Sequence, residues 1–206
     1  MNSFVVIVLA ACCAHTLAFS QCNTETLNKI KASYKGTPLG KKLASAANKD
    51  GVLVAVTPFY FPVGVKCATT LIGKDVPSGQ NYKTITTYDT FGKKTVGSKD
   101  EVKKDDVGFY TEGSEGIKTY IVPFYEKNGI VGVVTCTDKK SENKAEYLGT
   151  DGFIKFTYTT KPADLAKALA DVKEAIAEAK EAAEKLGITT WDPAFGSPEE
   201  CAKVIS

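Results

Sequence analysis

Gly116-Ile-Lys-Thr-Tyr-Ile-Val-Pro-Phe-Tyr-Glu-Lys-Asn-Gly-Ile-Val-Gly-Val-Val-Thr-Cys-Thr137 is the stretch on which the fold turns. Two runs rich in Ile, Val, Tyr, Phe and Thr flank Glu126-Lys127-Asn128-Gly129. Asn-Gly between β-formers is a strong hairpin signal, because a type I′ turn needs positive φ at both central residues. In the first arm Ile117, Thr119 and Ile121 share one face, and Lys118, Tyr120, Val122 and Phe124 the other. The second arm is apolar on both faces, through Ile130, Val131, Val133 and Val134. Such a strand is covered on both sides, by protein or by a ligand.

Working outward, the same chemistry recurs. Strands are expected at 51–61, 65–72, 82–91, 93–97 and 107–111 before the hairpin, and at 152–160 after it. Turn residues such as Gly73-Lys-Asp-Val-Pro-Ser-Gly79 separate them. The Lys/Asp run at 99–106 reads as solvated, and residues 21–50 as a polar lead-in with a short helix around 40–47. Seven or eight short antiparallel strands make a mainly β chain, either a sandwich or an up-and-down barrel.

Past residue 160 the period changes. Pro162 stands at a helix start, Asp164 in its first turn, and Gly187 at its carboxy-terminal cap. Between them Leu165, Leu169, Val172, Ile176, Ala179, Ala183 and Leu186 form one stripe. The spacing predicts one long amphipathic helix over about 162–186, laid against the outside of the sheet. The tail 187–206 holds the only tryptophan, Trp191, and a short turn at 198–204 that returns Cys201 to the fold.

The first twenty residues have a short apolar run, then small residues, with Ala18 and Ser20 suiting cleavage before Gln21. They read as a secretory signal peptide, the run being shorter than the ~20 residues a membrane span needs. No later segment is apolar enough to span. Residues 21–206 are expected to form one secreted, extracellular domain, with the barrel at about 51–160. Loss of the leader removes Cys12, Cys13 and the sole histidine, His15. Four cysteines remain, Cys22, Cys67, Cys136 and Cys201; in an oxidising compartment they imply two disulfides, and the residues alone leave three pairings open.

A chain without histidine excludes Ser-His and Cys-His nucleophilic catalysis, His-ligated zinc and His-ligated haem. The acidic residues sit at spacings that serve solubility, with Asp105-Asp106 and Glu199-Glu200 adjacent and therefore divergent. No enzyme, metal or cofactor is expected. The net charge of +2 comes from interspersed lysines and acids, which argues against nucleic acid.

The cysteine layout, Val65-Lys-Cys-Ala-Thr-Thr-Leu71, Thr86-Thr-Tyr-Asp89, the run from Tyr120 to Cys136 and Leu148-Gly149 resemble the triabin and nitrophorin branch of the lipocalins, secreted salivary-type proteins of blood-feeding arthropods. The resemblance implies an eight-stranded antiparallel barrel closed by the helix, and pairings Cys22–Cys136 and Cys67–Cys201. The usual Gly-x-Trp of the first strand is replaced by Gly51-Val-Leu53. Where nitrophorins carry a haem-ligating histidine, Thr87 stands, and a hydroxyl is a poor haem ligand. Haem is thus not carried over, leaving only Tyr60, Tyr88 or Tyr110 as tyrosinate ligands. The family's pocket, transferred strand by strand, falls on Lys66, Ile85, Thr87, Ile121 and Phe153.

The function implied is binding and transport of a small apolar or amphipathic ligand: a lipid mediator, pigment, hormone or biogenic amine. For an amine, Asp89 is the inward carboxylate by parity. The alternative is a protein-binding module that inhibits a host protease or platelet factor through loops 73–81, 97–106 and 138–147; a storage protein is a third reading.

Overall fold

The computed structural model describes residues 21–47, 49–57, 64–74, 81–105, 107–113, 116–138, 151–158, 163–170, 172–188, 191–193 and 198–205. The leader at 1–20, Tyr60, Asp106, Leu148-Gly149, Pro162 and most of loops 73–81 and 138–147 lie outside them.

Among the described residues nine strands form one antiparallel sheet: β1 Asp50–Val56, β2 Val65–Lys74, β3 Asn81–Asp89, β4 Lys94–Glu101, β5 Lys103–Lys104, β6 Phe109–Glu112, β7 Lys118–Lys127, β8 Ile130–Thr137 and β9 Gly152–Tyr158. Their order is β4-β3-β2-β1-β9-β8-β7-β6-β5. Each strand lies beside its sequence neighbour, and β1 pairs with β9. This is an up-and-down barrel whose ladder is complete except between β4 and β5. There the chain simply passes from one strand to the next through Val102, whose N–H donates to Asn81 O at 2.8 Å.

The count is nine rather than the expected eight, because the charged run at 99–106 is not merely solvated. β4 extends to Glu101, and β5 pairs with β6 through Lys103↔Tyr110 and Lys104↔Phe109. Lys103 bonds Glu112 at 2.9 Å, and Asp105 takes Lys118 Nζ at 3.0 Å and Tyr120 Oη at 2.8 Å. Opposite charges on adjacent strands hold a sequence whose composition alone favours solvent.

The 126–129 turn has the expected geometry, with Asn128 at φ +52 and Gly129 at φ +82. β8 is buried along its whole length, as its two-sided apolar pattern requires. Its residues divide between two cores. Ile130, Val134 and Cys136 face outward beneath helices, whereas Val131 and Val133 face the barrel interior.

Among the described residues there are five helices, α1 Thr24–Tyr34, α2 Pro38–Ala47, α3 Leu165–Ala170, α4 Val172–Lys185 and α5 Pro198–Ile205, and all but α2 bury side chains in the outer core. Of the helix read from the apolar stripe, the described parts are α3 and α4, which flank Asp171, itself outside the described residues. The start of α3 is later than Pro162. Asp164 caps α3, its Oδ1 accepting from Lys167 N at 2.9 Å. Leu165, Val172, Ala179 and Ala183 are buried against Val52, Val54, Val122 and Ile154 of the sheet. Gly187, at φ +77, ends α4 as a left-handed cap. α1 was not expected. Asn23 Oδ1 caps it by accepting from Thr26 N at 3.1 Å, and Leu27 and Ile30 are its buried apolar residues among those described.

Two disulfides tie these layers together. Cys22–Cys136 fastens the lead-in to β8, and Cys67–Cys201 fastens β2 to α5, with Cα–Cα distances of 4.8 and 5.1 Å. Each closes a loop of more than a hundred residues, a constraint on the unfolded chain of about 4–5 kcal/mol in the entropic description.

Candidate ligand site in the barrel interior

The interior wall follows from strand register. Leu53, Ala68, Val131, Val133 and Phe153 form a buried inner cluster, with Val56, Ile85 and Ile121 packed on it. Cross-strand partners share a face. Thr87 lies opposite Ala68, Thr70 opposite Ile85, and Thr135 opposite Ile121, so all three belong to this wall. Lys155 lies opposite both Leu53 and Val131 and joins them. Inward-facing Phe109 extends the wall onto β6 through its partner Ile121.

Of the residues transferred from the family resemblance, the structure brings Ile85, Ile121 and Phe153 together in the inner cluster and sets Thr87 on the same wall. Lys66 stands apart. It is half-buried at the register shift between Val65 and Cys67. Tyr88 and Tyr110 pack on the outer cluster, away from this wall. Asp89 is not an inward carboxylate. Its Oδ1 accepts from the N–H of Phe91 and of Lys93, each at 2.8 Å, so it caps the β3–β4 turn. Among the described residues no group of three or more His, Cys, Asp or Glu side chains could hold a metal ion. No described helix is long and apolar enough to cross a membrane.

The wall is uneven. The β1, β8 and β9 side is tightly packed, whereas Ile85, Thr87 and Ile121 keep partial exposure. Beside it, where the outer helix α1 lies over β5–β7, a half-open cleft of about 590 Å³ is bounded by Lys31 and Lys35 of the helix and by Lys104, Phe109, Ile121 and Val122.

Polar groups on this wall were missed in the sequence. Thr70 and Thr135 are 5% and 1% exposed, and neither Oγ1 has a hydrogen-bond partner. Lys155 is 4% exposed, its Nζ donating to Lys49 O at 3.1 Å. Burial first, and then the charge on Lys83, lower its pKa to about 8, with Asp50 partly opposing both. Lys83, on the inner face of β3 two residues before Ile85, is also lowered by burial, against the pull of Asp100. Parity was the available signal: Phe153 and Lys155 alternate on one face, as do Lys83 and Ile85. A glycine gives Lys155 room. A Cβ on Gly51 would stand 2.8 Å from Lys155 Cγ, so the lysine stem lies across bare β1 backbone.

No protein-family model matches the chain, and no curated protein matches it. Among solved structures it is similar to apocrustacyanin C2, at 11% sequence identity over 87% of this chain and 91% of that one, with a TM-score of 0.49.

Proposed function

We propose that this protein is a secreted, lipocalin-type carrier that holds one small amphipathic ligand inside its barrel and performs no catalysis. One observation carries the reading: a ring of inward apolar side chains, from Leu53 to Phe153, is interrupted by buried hydroxyls of Thr70 and Thr135 that no protein group satisfies. Native interiors rarely leave such oxygens alone, and a polar part of a ligand or a bound water supplies their partner. The looser wall at Ile85, Thr87 and Ile121 gives the ligand its contact surface.

Two disulfides suit an extracellular chain, in keeping with a removable leader at 1–20 and one domain over 21–206. Within the lipocalins, the Cys22–Cys136 and Cys67–Cys201 pairings favour the triabin and nitrophorin branch. The test is native mass spectrometry of protein secreted from its own source, compared with protein refolded from denaturant. A small molecule on the first and absent from the second is the expected result. Identical masses, with a melting temperature unmoved by lipids, amines or haem, would overturn the carrier.

A further inference from the structure

Resting on that reading, we propose that the barrel recognises an amphiphile with a carboxylate-type anionic head, held jointly by Lys155, Lys83 and the hydroxyl of Thr70. Strand register brings the three together. Thr70 pairs with Gly51 on one side and with Ile85 on the other. The stem of Lys155 lies over Gly51, and Lys83 precedes Ile85 on the same face. Thr70 therefore stands between the two lysines, on the inner wall, with its Oγ1 unpartnered.

The charges around this cluster do not balance it. Asp50 at the start of β1 favours the charge on Lys155, and Asp100 on β4 favours that on Lys83, but burial outweighs each. Glu126, placed inward by its register opposite Val131, is the one acid on this face: its Oε1 accepts from Gly129 N, while its Oε2 is buried without a hydrogen-bond partner, 3.9 Å from Lys42 Nζ, so the described wall carries two lysines against one carboxylate. Lys155 Nζ has three protons and one acceptor, a backbone carbonyl. Buried charge without a counter-charge is costly, so natural interiors pair it. A carboxylate has two acceptor oxygens and fits two ammonium groups and a hydroxyl, while its apolar tail reaches Ile85, Ile121 and Phe153. The lowered pKa of Lys155 agrees, since an arriving anion would relieve that depression.

The experiment titrates the folded, oxidised protein with dodecanoate and with dodecanol by calorimetry at pH 7. Charge-assisted hydrogen bonds make the carboxylate at least about tenfold tighter. That preference should shrink in Lys155→Met, in Thr70→Val, and in wild-type protein near pH 9.5, where Lys155 has lost its proton. Thr70→Val removes only an unpartnered oxygen from an isosteric side chain, so it keeps the test alive if Lys155→Met fails to fold. Equal binding of the two probes, or a preference untouched by all three changes, overturns the headgroup assignment and leaves the carrier standing. Binding of neither probe overturns the carrier reading and the inference together.

Discussion

Trp191 donates its indole Nε1–H to the carbonyl oxygen of Val133 at 3.1 Å, across the bare backbone of Gly152. The ring also meets Phe124 edge-on, with centroids 4.8 Å apart. This contact clamps the carboxy-terminal tail onto the outside of β8 and β9, behind the inner residues Val133 and Phe153. A Cβ on Gly152 would stand 2.1 Å from Val133 O and 2.3 Å from Trp191 Nε1. Gly152→Ala should therefore destabilise by about 3 kcal/mol, as overpacking does. Trp191→Phe, which keeps the ring and drops the hydrogen bond, should cost only about 1–2 kcal/mol. Urea unfolding of both variants checks the order; an alanine as mild as the phenylalanine change would show that the tail is not clamped there.

Lys155 gives the ligand-free barrel a pH signature. Its folded pKa of about 8 lies below its unfolded value near 10.4, so the unfolded chain binds the extra proton between those limits. Stability attributable to this residue is therefore lowest below pH 8 and rises as pH passes from about 8 to 10.5. The shift corresponds to roughly 3 kcal/mol. Lys155→Met should thus stabilise the ligand-free protein by about 2 kcal/mol at pH 7, after loss of the Lys49 hydrogen bond. The difference between the two proteins should close above pH 10. Parallel unfolding curves from pH 7 to 10 measure it.

Asp105 has the opposite sign. Burial raises its pKa, but hydrogen bonds from Lys118, Tyr120 and the N–H groups of Val107 and Gly108 overcome that and bring it to about 2. Its stabilising effect is complete above the unfolded value near pH 4 and is lost as pH falls through 2. With its side chain 28% exposed, about 1–2 kcal/mol is at stake. Asp105→Asn should lose that amount at pH 7 and match the wild type near pH 2. Its partner Tyr120 is pushed up to about 12, by burial first and then by Asp105. The same variant should therefore lower the Tyr120 ionisation in an alkaline absorbance titration.

At the hairpin, Gly129 at φ +82 also sits where a Cβ would approach Thr157 O to 3.2 Å. Gly129→Val should cost about 2 kcal/mol from left-handed strain. Asn128→Gly should stay within about 0.5 kcal/mol, as glycine accepts the same φ. Thermal melts of the two variants decide whether the turn sets the β7–β8 register.

What was legible in the sequence was periodic or covalent. Asn128-Gly129 named its turn, the two-sided apolar run of β8 showed that both its faces are covered, and the stripe from Leu165 to Leu186 marked helix. The features that escaped reading depend on neighbours distant in the chain. β5 exists because β6 lies beside it. α1 buries Leu27 and Ile30 among its described side chains, a short apolar stripe easily lost in a polar, Lys-rich lead-in. On the candidate wall, apolar Ile85, Ile121 and Phe153 were visible, while Lys155 and Thr70 were hidden by the habit of assigning polar side chains to solvent. Asp89 erred the other way: parity pointed it inward, but turn chemistry claimed its carboxylate.

The measurement that bears most directly on the carrier is a methyl-resolved NMR titration of isotope-labelled protein with dodecanoate. Binding inside the barrel should shift the methyl signals of Leu53, Ile85, Ile121, Val131 and Val133, saturating at one ligand per chain. Methyls of the outer core, such as Ile30, Val172 and Ile176, should stay in place. Shifts confined to the outer methyls, or none at saturating ligand, would contradict a ligand held in the interior.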